Sequence, residues 1–288
     1  MTGGSRLSFG EYTKEKLSRV DMYNTIDKIL SSTSKRSSSY KFIFFKSLLD
    51  CLDKIDSEYR LSFEIVFTRY TEISWRLILR YNFKQGPVRI GYEKNGLEKS
   101  IELYREDYNQ GEVILNGALR EKVSQDVKKA CSKYVVGALY QDALRRLYSF
   151  SKSTETIILN PVMHSYLLKN RDIIEKLLYI KWGEYLYETN KYNPIFSILG
   201  DLWIQKYELY LSNNAIASLV LAMACESSKS KLIRTYTDTD EMSDKNSIVQ
   251  ENGLNYDVKM KFDENDLDLL DDPDKIVSIL RQRRKYVN

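Results

Sequence analysis

Between Phe63 and Tyr81 the apolar side chains recur every three or four residues: Phe63, Val66, Phe67, Tyr70, Ile73, Leu77 and Tyr81. A strand repeats every two residues, so this spacing predicts an amphipathic helix with one buried stripe. It places Arg69, Arg76 and Arg80 mostly off the stripe, on the solvent side. A helix of this kind must bury its stripe against other elements, and the rest of the chain supplies candidates.

Helical spacing also runs through Arg19–Leu30 and through KFIFFKSLLDCL, residues 41–52, where Phe42, Phe45, Leu48, Leu49 and Leu52 share a face. It returns with Leu119, Val123, Val127 and Ala130, continues to Leu147, and is strong from Arg171 to Glu188. In that last helix Ile174, Leu177, Leu178, Trp182, Tyr185 and Leu186 are expected to face inward, with Asn190 and Pro194 marking its end. Two further helices are expected near 195–211 and 214–226, the second apolar nearly all round and therefore central. Only 4 prolines and 12 glycines interrupt the 288 residues, which suits long helices. The connection SSTSKRSSSY, residues 31–40, buries nothing and reads as a loop, with Ser39 as N-cap of the following helix. TIILN, 156–160, reads as a short strand, and Asn160-Pro161 as the N-cap and first residue of a helix. Lys84–Asn116, with KQGPVRIGYEKNG, reads as an extended excursion.

The expected fold class is therefore mainly α: a multi-helix globular bundle with a small β excursion near 84–116 and a short C-terminal tail helix. The expected divisions are a helical domain over 1–225, a polar, partly flexible segment over 226–262, and an acidic-then-basic tail helix over 263–288. The tail helix would start at Pro273, capped by Asp272, with Ile276, Ile279 and Leu280 on one edge.

The chemistry that this sequence excludes is more definite than the chemistry it offers. No apolar run approaches the 18 residues of a spanning helix, so no membrane partner is expected. MTGGSRLSFGEY lacks the apolar stretch of a secretory signal, and a cytoplasmic location is expected. Cys51, Cys131 and Cys225 are far apart and form no CxxC pair, so neither a zinc cage nor a disulfide framework is indicated. Phosphate-cradling and nucleophile-elbow glycine motifs are absent. The single histidine, His164, has no metal-ligating neighbour in sequence and reads as structural. The acidic run Asp263–Asp272 has neither the spacing nor the turn glycine of a calcium loop. No cofactor, metal or catalytic residue is expected.

Basic and aromatic residues interleave in two places: Lys35, Arg36, Tyr40 and Lys41, and Arg76, Arg80, Lys84, Gln85 and Arg89. Such groups neutralise phosphates when they converge, and these nine are the candidate DNA contacts. An ordinary solvated helix face accounts for the same residues. The net charge of +4 permits nucleic acid without requiring it.

SSYKFIFFKSLLDCL, ISWRLILRYNFKQG, LYSFSKSTETIILNP and KWGEYLYETN occur in that order over residues 38–200. This order resembles the helical N-terminal region of bacterial HNH-endonuclease-containing proteins, some of which belong to restriction or anti-phage systems. In that family a Cys- and His-bearing nuclease module follows, whereas residues 200–288 here hold one cysteine and no histidine. The resemblance therefore implies a non-catalytic helical component that binds DNA, a partner enzyme, or both, the partner being a separately encoded nuclease or ATPase. Two alternatives stand beside it. One is a protein-interaction scaffold with no nucleic-acid role. The other is a divergent metal-dependent nuclease using acids such as Asp257 near Lys259.

Overall fold

The computed structural model describes residues 7–31, 39–86, 94–109, 117–207 and 211–225. Among these the protein is mostly helical, with a small four-stranded antiparallel sheet. The chain divides into two compact units, Met1–Asn193 and Pro194–Asn288. The boundary falls inside the stretch 1–225 that reads as one helical domain in sequence.

The first unit is organised by α1 (Arg19–Leu30), α2 (Tyr40–Asp50), α3 (Phe63–Trp75), α4 (Gly96–Glu102), α5 (Arg105–Asn109), α6 (Gly117–Asp142), α7 (Pro161–Lys169) and α8 (Arg171–Thr189). Helices α2, α3 and α6 pack on one another and form the centre. The expected stripe of α3 is inside, with Phe63, Val66, Phe67, Tyr70 and Ile73 all buried. Phe44 meets Phe67 with ring centroids 5.5 Å apart, and Phe42 stacks on Trp182 of α8 at 6.2 Å. The helix starts are built as their sequences suggest. Ser18 and Asp21 form a reciprocal capping box on α1, the Asp21 N–H donating to Ser18 Oγ at 3.1 Å. Ser62 Oγ accepts from the Ile65 N–H on α3, and Asn160 Oδ1 from the Val162 N–H on α7.

Ser39 departs from its expected role. Its backbone is helical and its side chain makes no capping bond. Its hydroxyl instead accepts from Trp182 Nε1 at 3.2 Å, because a buried indole N–H has no water to turn to.

Helix α3 does not run on regularly to Tyr81. After Trp75 it widens into a π-helical turn over Arg76–Arg80, closed by the Tyr81 N–H donating to the Arg76 carbonyl at 3.1 Å. The wider turn buries three consecutive residues, Leu77, Ile78 and Leu79. It also leaves Arg76 and Arg80 half-buried rather than on the open solvent face.

The sheet order is β1-β3-β4-β2, with β1 Phe9–Gly10, β2 Arg60–Ser62, β3 Tyr148–Ser151 and β4 Thr156–Leu159. Strands β3 and β4 form a hairpin with Tyr148 opposite Leu159, and β4 is the strand expected from TIILN. The extended excursion expected over 84–116 is corrected where it is described: α4 and α5 are helices. The glycines and proline there pointed to strands, but Asn95 and Glu98 form a capping box that starts a helix. The β content comes from segments far apart in sequence instead.

In the second unit α9 (Ile195–Tyr207) packs on α10 (Asn213–Cys225). A Cβ on Gly200 would lie 3.1 Å from Ile216 Cδ1, so the glycine sets the close approach. The expected polar segment 226–262 and tail helix 263–288 lie outside the described residues.

Gly10 shows how tightly the sheet meets α6. A Cβ there would lie 2.7 Å from Cζ of Tyr140, whose hydroxyl is already fixed to the Glu11 carbonyl at 2.5 Å. Gly10→Ala is expected to lower the unfolding free energy by about 1–3 kcal/mol, because the ring has no free direction to retreat. Urea denaturation of the two proteins measures the difference.

Candidate functional site

Of the nine residues proposed from sequence as DNA contacts, Lys35, Arg36 and Arg89 lie outside the described residues. Most of the others serve the fold. Tyr40 donates its hydroxyl hydrogen to Asn95 Oδ1 and accepts from the Leu97 N–H at 3.2 Å, so it fastens α2 to the start of α4. Burial pushes its phenol far above the ordinary value. Lys41 is buried and donates to the Ser31 carbonyl at 3.0 Å, at the C-terminal end of α1 where a cation is favoured. Its other neighbour is Asp142, 3.6 Å away, and burial draws the lysine's pKa down.

Gln85 is fully buried. Its N–H donates to Glu98 Oε1 at 2.6 Å, its Nε2 donates to the Phe83 carbonyl at 2.9 Å, and its own carbonyl accepts from the Ser39 N–H at 2.9 Å. The two sequence groups therefore do meet, at Ser39–Tyr40 and Gln85, but in the interior and not on a concave basic face. Gln85 and Lys41 are buried and Tyr40 half-buried, and each has a bonding role within the fold. Arg80 lies beside the Tyr81 ring at 5.6 Å. Lys84 alone of the group is exposed among the described residues; its backbone is clamped by Asn190, which accepts from the Lys84 N–H at 2.7 Å and donates to its carbonyl at 3.0 Å.

The knot round Gln85 depends on one carboxylate. Glu98 also accepts from the Asn95 N–H, at 3.2 Å. Glu98→Ala leaves two buried or half-buried backbone donors without their acceptor and is expected to cost about 3 kcal/mol in chemical denaturation. Glu98→Gln keeps one acceptor oxygen and is expected to cost less than the alanine.

A second polar cluster sits where α2, α3, α6 and α8 approach. Lys46, 1% exposed, reaches Asp50 at 2.5 Å and Glu175 at 3.3 Å. Arg69 reaches Asp50 at 2.7 Å and Glu72 at 3.1 Å, Arg120 reaches Glu72 at 2.5 Å, and Arg171 joins Asp50 at 3.2 Å to Glu175 at 3.0 Å. Arg69, expected on the solvent side, is thus an interior tie. Burial alone would raise the Asp50 carboxyl, but Lys46 and Arg69 outweigh it and hold it below its ordinary value. A group depressed in this way stabilises the fold fully above its unfolded pKa of about 3.9, and the contribution disappears as pH falls through the lower folded value. Asp50→Asn, which leaves a buried ammonium short of a counter-charge, is expected to lose about 3 kcal/mol at pH 7. Thermal melts of both proteins should converge as the pH falls below about 4.

The remaining reactive side chains sit in inert surroundings. Burial pushes the Cys51 thiol up to about 11 and the Cys131 thiol up to about 12, away from the thiolate. His164 is half-buried, its ring edge against Tyr59 at 5.5 Å. Among the described residues no group of three or more His, Cys, Asp or Glu side chains is placed to hold a metal ion.

The feature that sequence reasoning missed is a groove of about 450 Å³ between α1 and α8. Tyr23, Ile26, Asp27 and Leu30 form one wall at helical spacing; Ile173, Ile174, Leu177 and Lys181 form the other, with Tyr166 and Asn170 at one end. Its lining is mostly apolar with a few polar groups, the usual make-up of a binding cleft. Leu177, expected inside, is 41% exposed, and Ile173 and Ile180 are 59% and 47% exposed. The signal was present: α8 carries more apolar residues than one stripe needs. Ile174, Leu178, Trp182 and Leu186 fill the buried face, and Ile173, Leu177 and Ile180 make a second, open one.

No family model, no characterised protein and no solved structure matches this chain. Among the described residues no helix is long and apolar enough to cross a membrane.

Proposed function

We propose that this protein is a non-catalytic helical adaptor that receives an amphipathic helix of a partner protein in the groove between α1 and α8. The exposed apolar pair Ile173 and Leu177 on the groove wall carries the reading, because side chains four residues apart suit a helix lying alongside. The Tyr23–Leu30 wall extends over about 10 Å, roughly two helical turns. Asp27 and Lys181 on opposite walls would orient the incoming helix. The family resemblance over residues 38–200 supports a partner of enzymatic kind, a separately encoded nuclease or ATPase of a restriction or anti-phage system, with this chain as its helical component.

The test uses a fluorescein-labelled amphipathic peptide of about four turns, with leucines at i, i+3, i+4 and i+7, titrated with the full chain. Saturable binding is expected, weakened at least tenfold by Leu177→Glu, since a buried charge cannot share the groove. Equal binding by the variant and the unaltered protein would overturn the proposal. So would light scattering that finds a dimer which Leu177→Glu converts to monomer, because the groove would then hold a second copy.

A further inference from the structure

The outer face of α6 carries a row of lysines that have no ion-pair partner among the described residues. Lys122, Lys129 and Lys133 are seven and four residues apart, which puts them on one side of this 26-residue helix. All three are exposed, and among the described residues none lies within ion-pair distance of a carboxylate, whereas their neighbour Lys128 is paired with Glu155 at 2.5 Å. Lys122 and Lys133 lie 5.4 and 5.0 Å from the rings of Tyr104 and Tyr134, which hold the ammonium groups without cancelling their charge. Asp126 stands among them and accepts the Tyr104 hydroxyl at 2.6 Å, and Glu121 is exposed beside Lys122, so Lys122, Lys129, Lys133 and Lys152 together face two carboxylates.

The β3–β4 hairpin extends the row. Lys152 has no acid partner among the described residues; its ammonium donates to the Lys133 carbonyl at 2.7 Å. Partial burial draws its pKa down. The row from Lys122 to Lys133 runs for about 16 Å at the helical rise. Between the lysines stand Gln125 and Ser132, hydrogen-bonding side chains with no apolar bulk to enter a bilayer.

We propose that this α6–hairpin face binds the phosphate backbone of a nucleic acid, with Lys122, Lys129, Lys133 and Lys152 as the contacts. A straight row of unpaired lysines with interspersed amide and hydroxyl groups reads phosphates and not bases, so binding is without sequence preference. The face involves none of the nine residues selected from sequence and none of the groove residues.

The experiment titrates a fluorescein-labelled 20-base-pair DNA duplex with the full chain at several salt concentrations. The unaltered protein is expected to bind at low salt. Lys122→Glu/Lys129→Glu/Lys133→Glu is expected to bind at least tenfold more weakly, and the neutral Gln set to lower the slope of log K against log salt by about 2.7, the loss of three phosphate contacts. Lys14→Glu/Lys16→Glu/Lys28→Glu makes the same change in net charge elsewhere and is expected to weaken binding much less. Leu177→Glu is expected to leave DNA binding unchanged, which separates this face from the groove. Circular dichroism checks the fold of each variant, and if the Glu set unfolds, the Gln set decides alone. The proposal is overturned by no DNA binding at low salt, by equal losses in both triple Glu variants, or by binding to phosphatidylserine vesicles in place of DNA.

Discussion

Glu98 gathers parts of the chain that share no local sequence relation. Through its two carboxylate oxygens it accepts the backbone N–H groups of Gln85 and Asn95. Through Gln85 it reaches Ser39 at the head of α2, and through Ser39 it reaches Trp182 in α8. Asn190 completes the enclosure by gripping the backbone of Lys84 from the end of α8. The stretch 81–86 leaves a π-helical turn and has no regular ladder of its own, so its polar groups require these side-chain partners. The aromatic packing of Phe42 on Trp182 presupposes the same alignment of α2 with α8. Buried polar groups are costly unless fully matched, and a matched set selects one arrangement among many apolar ones.

The cluster centred on Asp50 and Lys46 has a different character. It joins α2 to α3 and α8 by charge, which is long-ranged and tolerant of angle. Replacing such a cluster by well-packed apolar residues is often neutral or stabilising, whereas removing one member is not. Its value is in the dependence of each charge on the others: Asp50 serves Lys46, Arg69 and Arg171 at once. The two networks therefore explain why so many Lys, Arg and Gln residues that look like surface in sequence are interior in the fold.

The legible part of the fold is the part set by local rules. The boundaries Arg19–Leu30, the strand over Thr156–Leu159 and the cap at Asn160-Pro161 follow from spacing and capping chemistry. The α4 start was also legible, in Asn95 and Glu98, but the neighbouring glycines and proline argued louder. What could not be read was long-range. Nothing near Gln85 in sequence announces Glu98 as its partner, and nothing in α3 announces the π turn that draws Arg76 and Arg80 inward. The groove was half visible, since α8 has two apolar rows and a single buried face can use only one. The basic row of α6 was visible as spacing but not as unpaired charge, because pairing depends on where Glu155 and Asp126 fall after folding.

The sheet places its two shortest strands outermost. β1 has two residues and β2 three, and both flank the four-residue hairpin strands. An edge this short offers an incoming chain almost no backbone to pair with, so addition of a foreign strand and edge-to-edge aggregation are both discouraged. Recognition by β-augmentation is thereby disfavoured at this protein's described sheet, which leaves side chains on its helices and on the β3–β4 turn as the means of contact.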